Sequence, residues 1–159
     1  MGKKVLVDLS HPFGPNMPVW PYFKKPQIDT VHGLAKSGVL TQSLQIVMHC
    51  GTHADSPRHV MEKEFDGRRA RYTHEMELDE YYGEAVCLDV RTHDWGLITA
   101  KDLDDAVARA GMTNDELEGL ILIIRTGMHL KWDDSKDYFH YATGCGVEAG
   151  HWFVNSELL

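Results

Sequence analysis

The sequence predicts an α/β protein with several short strands, and three observations carry this prediction. Two apolar runs, AVCLDV at 85–90 and LILIIRT at 120–126, are short and bounded by polar segments, which is typical of buried strands in one sheet. Between them, apolar residues recur at helical spacing from the N-cap residue Thr99 to Gly111. A strand, a helix and a second strand in this order indicate the α/β class.

The other elements follow from local patterns. A short strand is predicted at residues 5–9, followed by a long irregular loop, because the five prolines at 12–26 each remove a backbone donor and restrict the preceding residue. Alternating apolar residues predict a strand at 40–48. A second, shorter helix is predicted at 147–153, near the end of the chain.

Composition narrows the class of protein. A chain of 159 residues fits one domain, residues 1–159, and no apolar run approaches the roughly 20 residues of a membrane helix. Because 24 acidic residues outnumber 16 basic ones, neither nucleic acid nor an anionic membrane is an expected partner. The three cysteines are far apart and form no CxxC pair, and the N-terminus is too poor in apolar residues for a signal peptide. We therefore expect a cytoplasmic protein with reduced thiols.

The stretch HCGTHADSPRH, residues 49–59, concentrates metal-ligand side chains. In a straight strand His49 and His53 would lie about 13 Å apart, too far to share one ion, so the chain must bend between them, and Gly51 is the residue that bends most cheaply. Two imidazoles and the Asp55 carboxylate could then share an ion, with His59 close by. Chance would place roughly 0.7 histidines in such a window, so the residues alone leave both a metal site and a chance cluster open.

The same stretch is similar to the HxGTHxDxPxH signature of the cyclase family of metal-dependent hydrolases, which includes bacterial kynurenine formamidase and isatin hydrolase. It matches at every specified position. Four further segments resemble the family in the same order, so that the resemblance covers essentially the whole chain: VDLSHPFGPNMPVWP, YYGEAVCLDV, LILIIRTG and YFHYATGCGVEAGHWF.

The resemblance implies a fold and a set of site residues. The fold would be a mixed swivelling β/β/α domain with a largely antiparallel or barrel-like sheet and few helices. His49, His53 and Asp55 would bind Zn²⁺, or alternatively Mn²⁺, as one or two ions, and His59 would be the catalytic acid/base. Trp20 would line the substrate pocket, although an aromatic residue in a proline-rich loop could instead cover the edge of the core.

The resemblance also implies an activity. A metal lowers the pKa of water to about 7 and polarises a carbonyl, and an imidazole with a pKa of about 6.5 can carry the proton to the leaving nitrogen. We expect a metal-dependent hydrolase of a C–N amide bond, converting N-formyl-L-kynurenine to L-kynurenine and formate. The alternatives are a hydrolase of a cyclic amide or lactone, as for isatin, and a catalytically silent metal-binding or interaction module.

Two further expectations come from the family pattern. Family members are typically homo-oligomers, so a homodimer or homotetramer acting on a small-molecule amide or lactone is expected. Members also continue past the equivalent of Leu159 with ligands for a second metal. The chain is therefore expected to be shortened at its C-terminus, either as a fragment or as a homologue that completes its site from another subunit.

Overall fold

The computed structural model describes residues 5–90 and 96–155 of the chain. The chain forms two compact units, Met1–Ala70 and Arg71–Leu159. The single domain expected for residues 1–159 stays a prediction. Leu159, on which the expected C-terminal shortening depends, lies outside the described residues.

The first unit contains an antiparallel hairpin. Its elements are β1 (Gln27–His32), the short helix α1 (Leu34–Ser37) and β2 (Thr41–Gln45). Gln27 pairs with Gln45 at the open end of the hairpin, and a register irregularity follows Thr30. Every residue of both strands is exposed, so the alternation that predicted a strand at 40–48 marks no buried face. The observed strand ends at Gln45, three residues before the predicted end.

Two predictions for the N-terminal part were wrong. Residues 5–9 form no strand, and none of the strand pairs in the described part of the chain includes them. Their apolar side chains are 70–100% exposed. The N-terminal segment, expected to be an irregular loop, also contains the strand β1. This strand begins directly after the last proline of the run, Pro26. Once the prolines end, each residue of the segment can again supply a backbone donor to a sheet.

The second unit carries most of the regular structure. Its elements are, in chain order, β3 (Ala85–Asp89), β4 (Leu97–Ile98), α2 (Ala100–Arg109), β5 (Ile121–Arg125), α3 (Lys136–Phe139), β6 (Gly144–Cys145) and α4 (Val147–Asn155). The strands β3 and β5 are parallel neighbours in one sheet, with Ala85 opposite Ile121. A second parallel pair joins β4 and β6. The two predicted strands, their pairing and both predicted helices are confirmed, but the strands are not buried on both faces, since Ile121 and Ile123 of β5 are 38% and 39% exposed.

The ends of α2 follow the predicted chemistry. The Thr99 hydroxyl accepts a hydrogen bond from the backbone N–H of Asp102, and the Asp102 carboxylate accepts one from the backbone N–H of Thr99. These contacts form a capping box. A hydrogen bond from the Thr99 hydroxyl to the Asp102 carboxylate at 2.7 Å, followed by that from the Thr99 backbone N–H, holds the pKa of Asp102 below its ordinary value. Gly111, beyond the end of the helix, has a positive φ of +75°.

The core of the second unit lies between the β3–β5 sheet and the two longer helices. Its buried residues are Leu88, Val90, Ile98, Leu103, Ala106, Val107, Leu117, Ala149 and Trp152. Asp104 on α2 accepts hydrogen bonds from Asn114 Nδ2 at 3.0 Å and from Trp152 Nε1, on α4, at 2.8 Å. The hydrogen bond from Asn114, followed by that from Trp152, lowers the pKa of Asp104 from its ordinary value. A carboxylate therefore joins the two helices.

The fold class is α/β with small sheets and few helices, as predicted. The expected largely antiparallel or barrel-like sheet is not seen within residues 5–90 and 96–155, where only the β1–β2 pair is antiparallel, the other two pairs are parallel and none closes into a barrel. The parallel strands β3 and β5 are joined by a connection that contains α2, as parallel neighbours require a crossover of this kind. The swivelling arrangement stays a prediction. Among the described helices, none is both long enough and apolar enough to cross a bilayer.

Candidate metal centre

A sharp bend gathers the side chains of the histidine-rich stretch. Gly51 has a φ of +71°, in the left-handed region that glycine adopts at least cost, at the position where the sequence required a bend. The chain then enters a 3-10 helix at Pro57–His59, in which the backbone N–H of His59 donates to the carbonyl oxygen of Ser56 at 2.9 Å. Pro57 suits the first position of a helix because it has no N–H to satisfy there.

Three of the predicted ligand atoms converge. His49 Nδ1 lies 2.7 Å from His53 Nε2 and 3.1 Å from Asp55 Oδ1, and His53 Nε2 lies 3.3 Å from the same oxygen. Ligand atoms at about 2.0–2.2 Å from a tetrahedral ion are separated by roughly 3.3–3.6 Å. Two sides of the triangle formed by these atoms, 3.1 and 3.3 Å, are close to that separation, and the side between the two nitrogens, 2.7 Å, is shorter.

The backbone carbonyl of Gly51 orients one of these three ligand side chains, that of His53. His53 Nδ1 lies 2.8 Å from the carbonyl oxygen of Gly51. Because that oxygen can only accept, His53 carries its proton on Nδ1, and its Nε2 lone pair is directed toward His49 and Asp55. Ligating histidines are commonly held in this way by a hydrogen bond from the second ring nitrogen. The bend at Gly51 thus both brings His53 round and selects its tautomer.

His59 lies against the same cluster. Its ring stacks on that of His49, with centroids 4.4 Å apart and planes 28° apart. One donor atom each from His49, Asp55 and His59 lie within 4.8 Å of one another. The structure therefore brings together all four polar residues that the sequence singled out, and the acid/base role of His59 stays a prediction.

The donor set and its exposure fit a metal better than a structural role. Two imidazole nitrogens and a carboxylate oxygen suit Zn²⁺ and also Mn²⁺. The side chains of His49, His53 and Asp55 are 40%, 29% and 45% exposed, so that hydrogen bonds among them add little stability. Three side chains of metal-ligand type whose ligand atoms lie within 3.3 Å of one another also suit a shared ion.

Residues of the proline-rich loop pack against the turn at Gly51. Met17 is buried, and its Cε lies 3.1 Å from the point where a Cβ on Gly51 would stand, with a Phe13 ring carbon at 3.5 Å. The backbone N–H of His11 donates to the hydroxyl of Thr52 at 3.0 Å. Sequence analysis missed Phe13 and Met17, because only the tertiary fold brings them to Gly51.

Phe23 lies beside one of the candidate ligands, His49. Its ring lies edge-on to His49 with centroids 6.1 Å apart. Trp20, the predicted pocket residue, is 54% exposed and has its ring 6.2 Å from that of Tyr22. Both Trp20 and Phe23 belong to the loop that the sequence marked as aromatic, but nothing in the spacing of that loop singles out Phe23. The pocket role of Trp20 stays a prediction.

Comparison with known proteins identifies the family of this chain. The sequence profile of the family described as "Putative cyclase" matches residues 7–159. The chain belongs to the cyclase family. The resemblance carried by HCGTHADSPRH and the four other segments is thereby confirmed, and the candidate ligands lie within the part of the chain that the family profile matches.

Two curated relatives of this cyclase family chain carry the name kynurenine formamidase. The protein of Erythrobacter litoralis (strain HTCC2594) is 32% identical over 91 residues, which cover 53% of this chain and 37% of the relative. That of Salinibacter ruber (strain DSM 13855 / M31) is 31% identical over 90 residues, which cover 55% of this chain and 40% of the relative. The matched part therefore spans about two fifths of each relative's length.

A solved structure supports the fold. The crystal structure described as that of a novel cyclase superposes with a TM-score of 0.71 at 21% sequence identity. The superposition covers 94% of this chain and 61% of the other. At this identity the likeness shows that the chain has a cyclase fold, and it carries no statement about the reaction.

Proposed function

We propose that the protein is a metal-dependent hydrolase that cleaves a C–N amide bond. The observation that carries this proposal is the triangle of His49 Nδ1, His53 Nε2 and Asp55 Oδ1, with sides of 2.7 to 3.3 Å, beside the ring of His59. Relatives named kynurenine formamidase support hydrolysis, and they favour N-formyl-L-kynurenine as substrate, with L-kynurenine and formate as products.

Each residue of the cluster has a distinct task in this mechanism. His49, His53 and Asp55 would hold the ion, and Gly51 would orient His53 through its carbonyl oxygen. When bound, Zn²⁺ or Mn²⁺ supplies Lewis-acid polarisation of the amide carbonyl and lowers the pKa of water. The His59 imidazole would accept a proton from the attacking water and return it to the leaving nitrogen, because an imidazole can both accept and donate a proton through its ring nitrogens.

The test separates metal binding from proton transfer. We expect wild-type protein to hold stoichiometric metal and to release formate from N-formyl-L-kynurenine. Asp55→Ala removes a ligand and should abolish both properties. His59→Ala should keep the metal and lower kcat by about 10²- to 10⁴-fold, the usual contribution of a general acid or base.

Other results would lead to other conclusions. Stoichiometric metal with no turnover on any amide or lactone would leave a metal-binding module and refute the hydrolase. Turnover of isatin or a lactone with none of the formamide would place the protein with cyclic substrates. A folded protein that binds no metal would refute the amide hydrolase, the hydrolase of cyclic substrates and the metal-binding module. The homo-oligomer implied by the family stays a prediction, to be measured by light scattering.

A further inference from the structure

The first part of the proline-rich loop, residues 11–17, contacts the turn at Gly51 with both of its ends. At one end the backbone N–H of His11 donates to the hydroxyl oxygen of Thr52 at 3.0 Å. At the other end Met17 is buried, and its Cε lies 3.1 Å from the point where a Cβ on Gly51 would stand. The segment therefore holds two adjacent residues of the turn, one by a hydrogen bond and one by packing.

This segment has little conformational freedom. Pro12 and Pro15 have fixed φ angles, and the backbone N–H of Met17 donates to the carbonyl oxygen of Gly14 at 3.2 Å, which closes a turn. Met17 and Val19 are buried, so the far end of the segment is anchored in the first unit. Because few conformations are open to it, the segment can act as a brace for the residues that its two ends contact.

Thr52 lies between the two groups that place one candidate ligand. The preceding residue, Gly51, supplies the carbonyl oxygen that lies 2.8 Å from His53 Nδ1, and the following residue is His53 itself. A shift of the Thr52 backbone would move both the ligand and the oxygen that orients it. The Thr52 hydroxyl, which accepts from the loop, therefore acts on the ligand through the backbone.

We propose that Thr52 is a positioning residue of the candidate metal centre and that its hydroxyl couples Zn²⁺ binding to the order of residues 11–17. This inference rests on the metal centre of the proposed function. Removing the acceptor of the His11 N–H weakens the arrangement in which the turn is braced. Linkage makes the effect mutual, so whatever the hydrogen bond adds to the affinity for Zn²⁺, bound Zn²⁺ adds to the stability of the hydrogen-bonded segment.

The affinity for Zn²⁺ is the first measurement. Thr52→Val keeps the shape of the side chain and removes the acceptor, and we expect about three- to tenfold weaker binding in competition with a chromophoric chelator. Thr52→Ser keeps the hydroxyl and should restore most of the affinity. The matched control is Thr41→Val on β2, which changes an exposed threonine of the same unit and should leave the affinity unchanged.

Hydrogen exchange separates positioning from general stability. At saturating Zn²⁺, mass spectrometry should show that the ion slows exchange in residues 49–59 of both the wild type and Thr52→Val. In residues 11–17 it should slow exchange in the wild type alone. Affinity and protection that are the same in Thr52→Val as in the wild type would overturn the positioning role. Equal losses in Thr52→Val and Thr52→Ser would overturn it as well, because the hydroxyl would not be their cause.

The same proteins distinguish this inference from the proposed function. Zn²⁺ binding that depends on the Thr52 hydroxyl, in a protein that hydrolyses no amide or lactone, would support the positioning role and refute the hydrolase. Hydrolysis by the wild type, with an affinity for Zn²⁺ that Thr52→Val leaves unchanged, would do the reverse. A folded wild-type protein that binds no Zn²⁺ would refute both.

Discussion

Gly51 meets two demands that other residues cannot meet together. Its φ is +71°, and Met17 Cε stands 3.1 Å from where a Cβ would be. Gly51→Ala should cost about 1–2 kcal/mol of backbone strain, and it should also push the turn away from Met17. Because the Gly51 carbonyl orients His53, we expect weaker Zn²⁺ binding, measured by competition with a chromophoric chelator.

Gly38→Ala is the matched control for this change. Gly38 has a φ of +70° in the same unit, and nothing beyond its chain neighbours lies within 4 Å of the point where a Cβ would stand. Both variants should therefore lose similar stability from backbone strain, while Zn²⁺ affinity falls in Gly51→Ala alone. Equal Zn²⁺ affinity in the two variants would show that the Gly51 turn does not position the ligands.

Much of the candidate site was predictable because its polar residues are close in sequence. The separation of about 13 Å between His49 and His53 in a straight strand required a bend at about Gly51, and the structure has it there. The surroundings were not predictable in this way. Phe23 and Met17 reach the site across more than 25 residues of chain, and no local periodicity records such a contact.

At the scale of elements, α2 depends on its first turn. The Thr99 hydroxyl accepts from the backbone N–H of Asp102, and Asp102 accepts in return. Thr99→Ala should lower the free energy of unfolding by about 1 kcal/mol, measured by urea denaturation. Thr99→Ser keeps the hydroxyl and should lose much less. A loss of equal size in the two variants would assign the effect to the methyl group and not to the cap.

The Asp104 contact between α2 and α4 predicts a pH dependence. Hydrogen bonds from Asn114 and Trp152 lower the pKa of Asp104 below its ordinary value of 3.8. Its stabilising contribution is therefore fully present above 3.8 and is lost as the pH falls through the lower folded-state pKa. Because Asp104 is exposed, Asp104→Asn should cost under about 1 kcal/mol at pH 7. Urea denaturation should show this difference shrinking below pH 3.8, and a constant difference would contradict the linkage.

Most of the elements that sequence analysis found have a buried face, and the exposed strand β2 is the exception. The strands β3 and β5 and the helix α2 pack on the core of the second unit, so their apolar periodicity records burial. The hairpin of the first unit is exposed on both faces, and so its pattern carries no such record. Apolar content alone misled the prediction at residues 5–9, where no strand pairing is found in the described sheets.

At the scale of the whole molecule, the two units differ in how much they bury. The second unit has the nine-residue core, whereas the buried apolar side chains described in the first are few, among them Met17, Val19 and Ala70. A unit with little core gains proportionally more from a bound ion. Free ion at about 100 times its Kd adds about 2.7 kcal/mol to the folded state.

We therefore expect chelation to loosen the two units unequally. Removing Zn²⁺ with EDTA should speed amide hydrogen exchange in residues 5–70 more than in 71–155, measured by mass spectrometry. Adding Zn²⁺ should reverse the change, and the Asp55→Ala protein should not respond to EDTA at all. A uniform response in both units would show that the ion stabilises the fold as one cooperative body.

The compactness of the histidine-rich stretch in sequence has a consequence for the order of folding. The four candidate site residues His49, His53, Asp55 and His59 all come from residues 49–59, so gathering them closes loops of ten residues or fewer. Loops of that length close in about 10–100 ns, and their closure entropy is small. The parallel pairing of β3 with β5 must instead join segments 36 residues apart. The candidate metal centre should therefore form early in folding. An ion bound at that stage would provide a nucleus against which the proline-rich loop then packs.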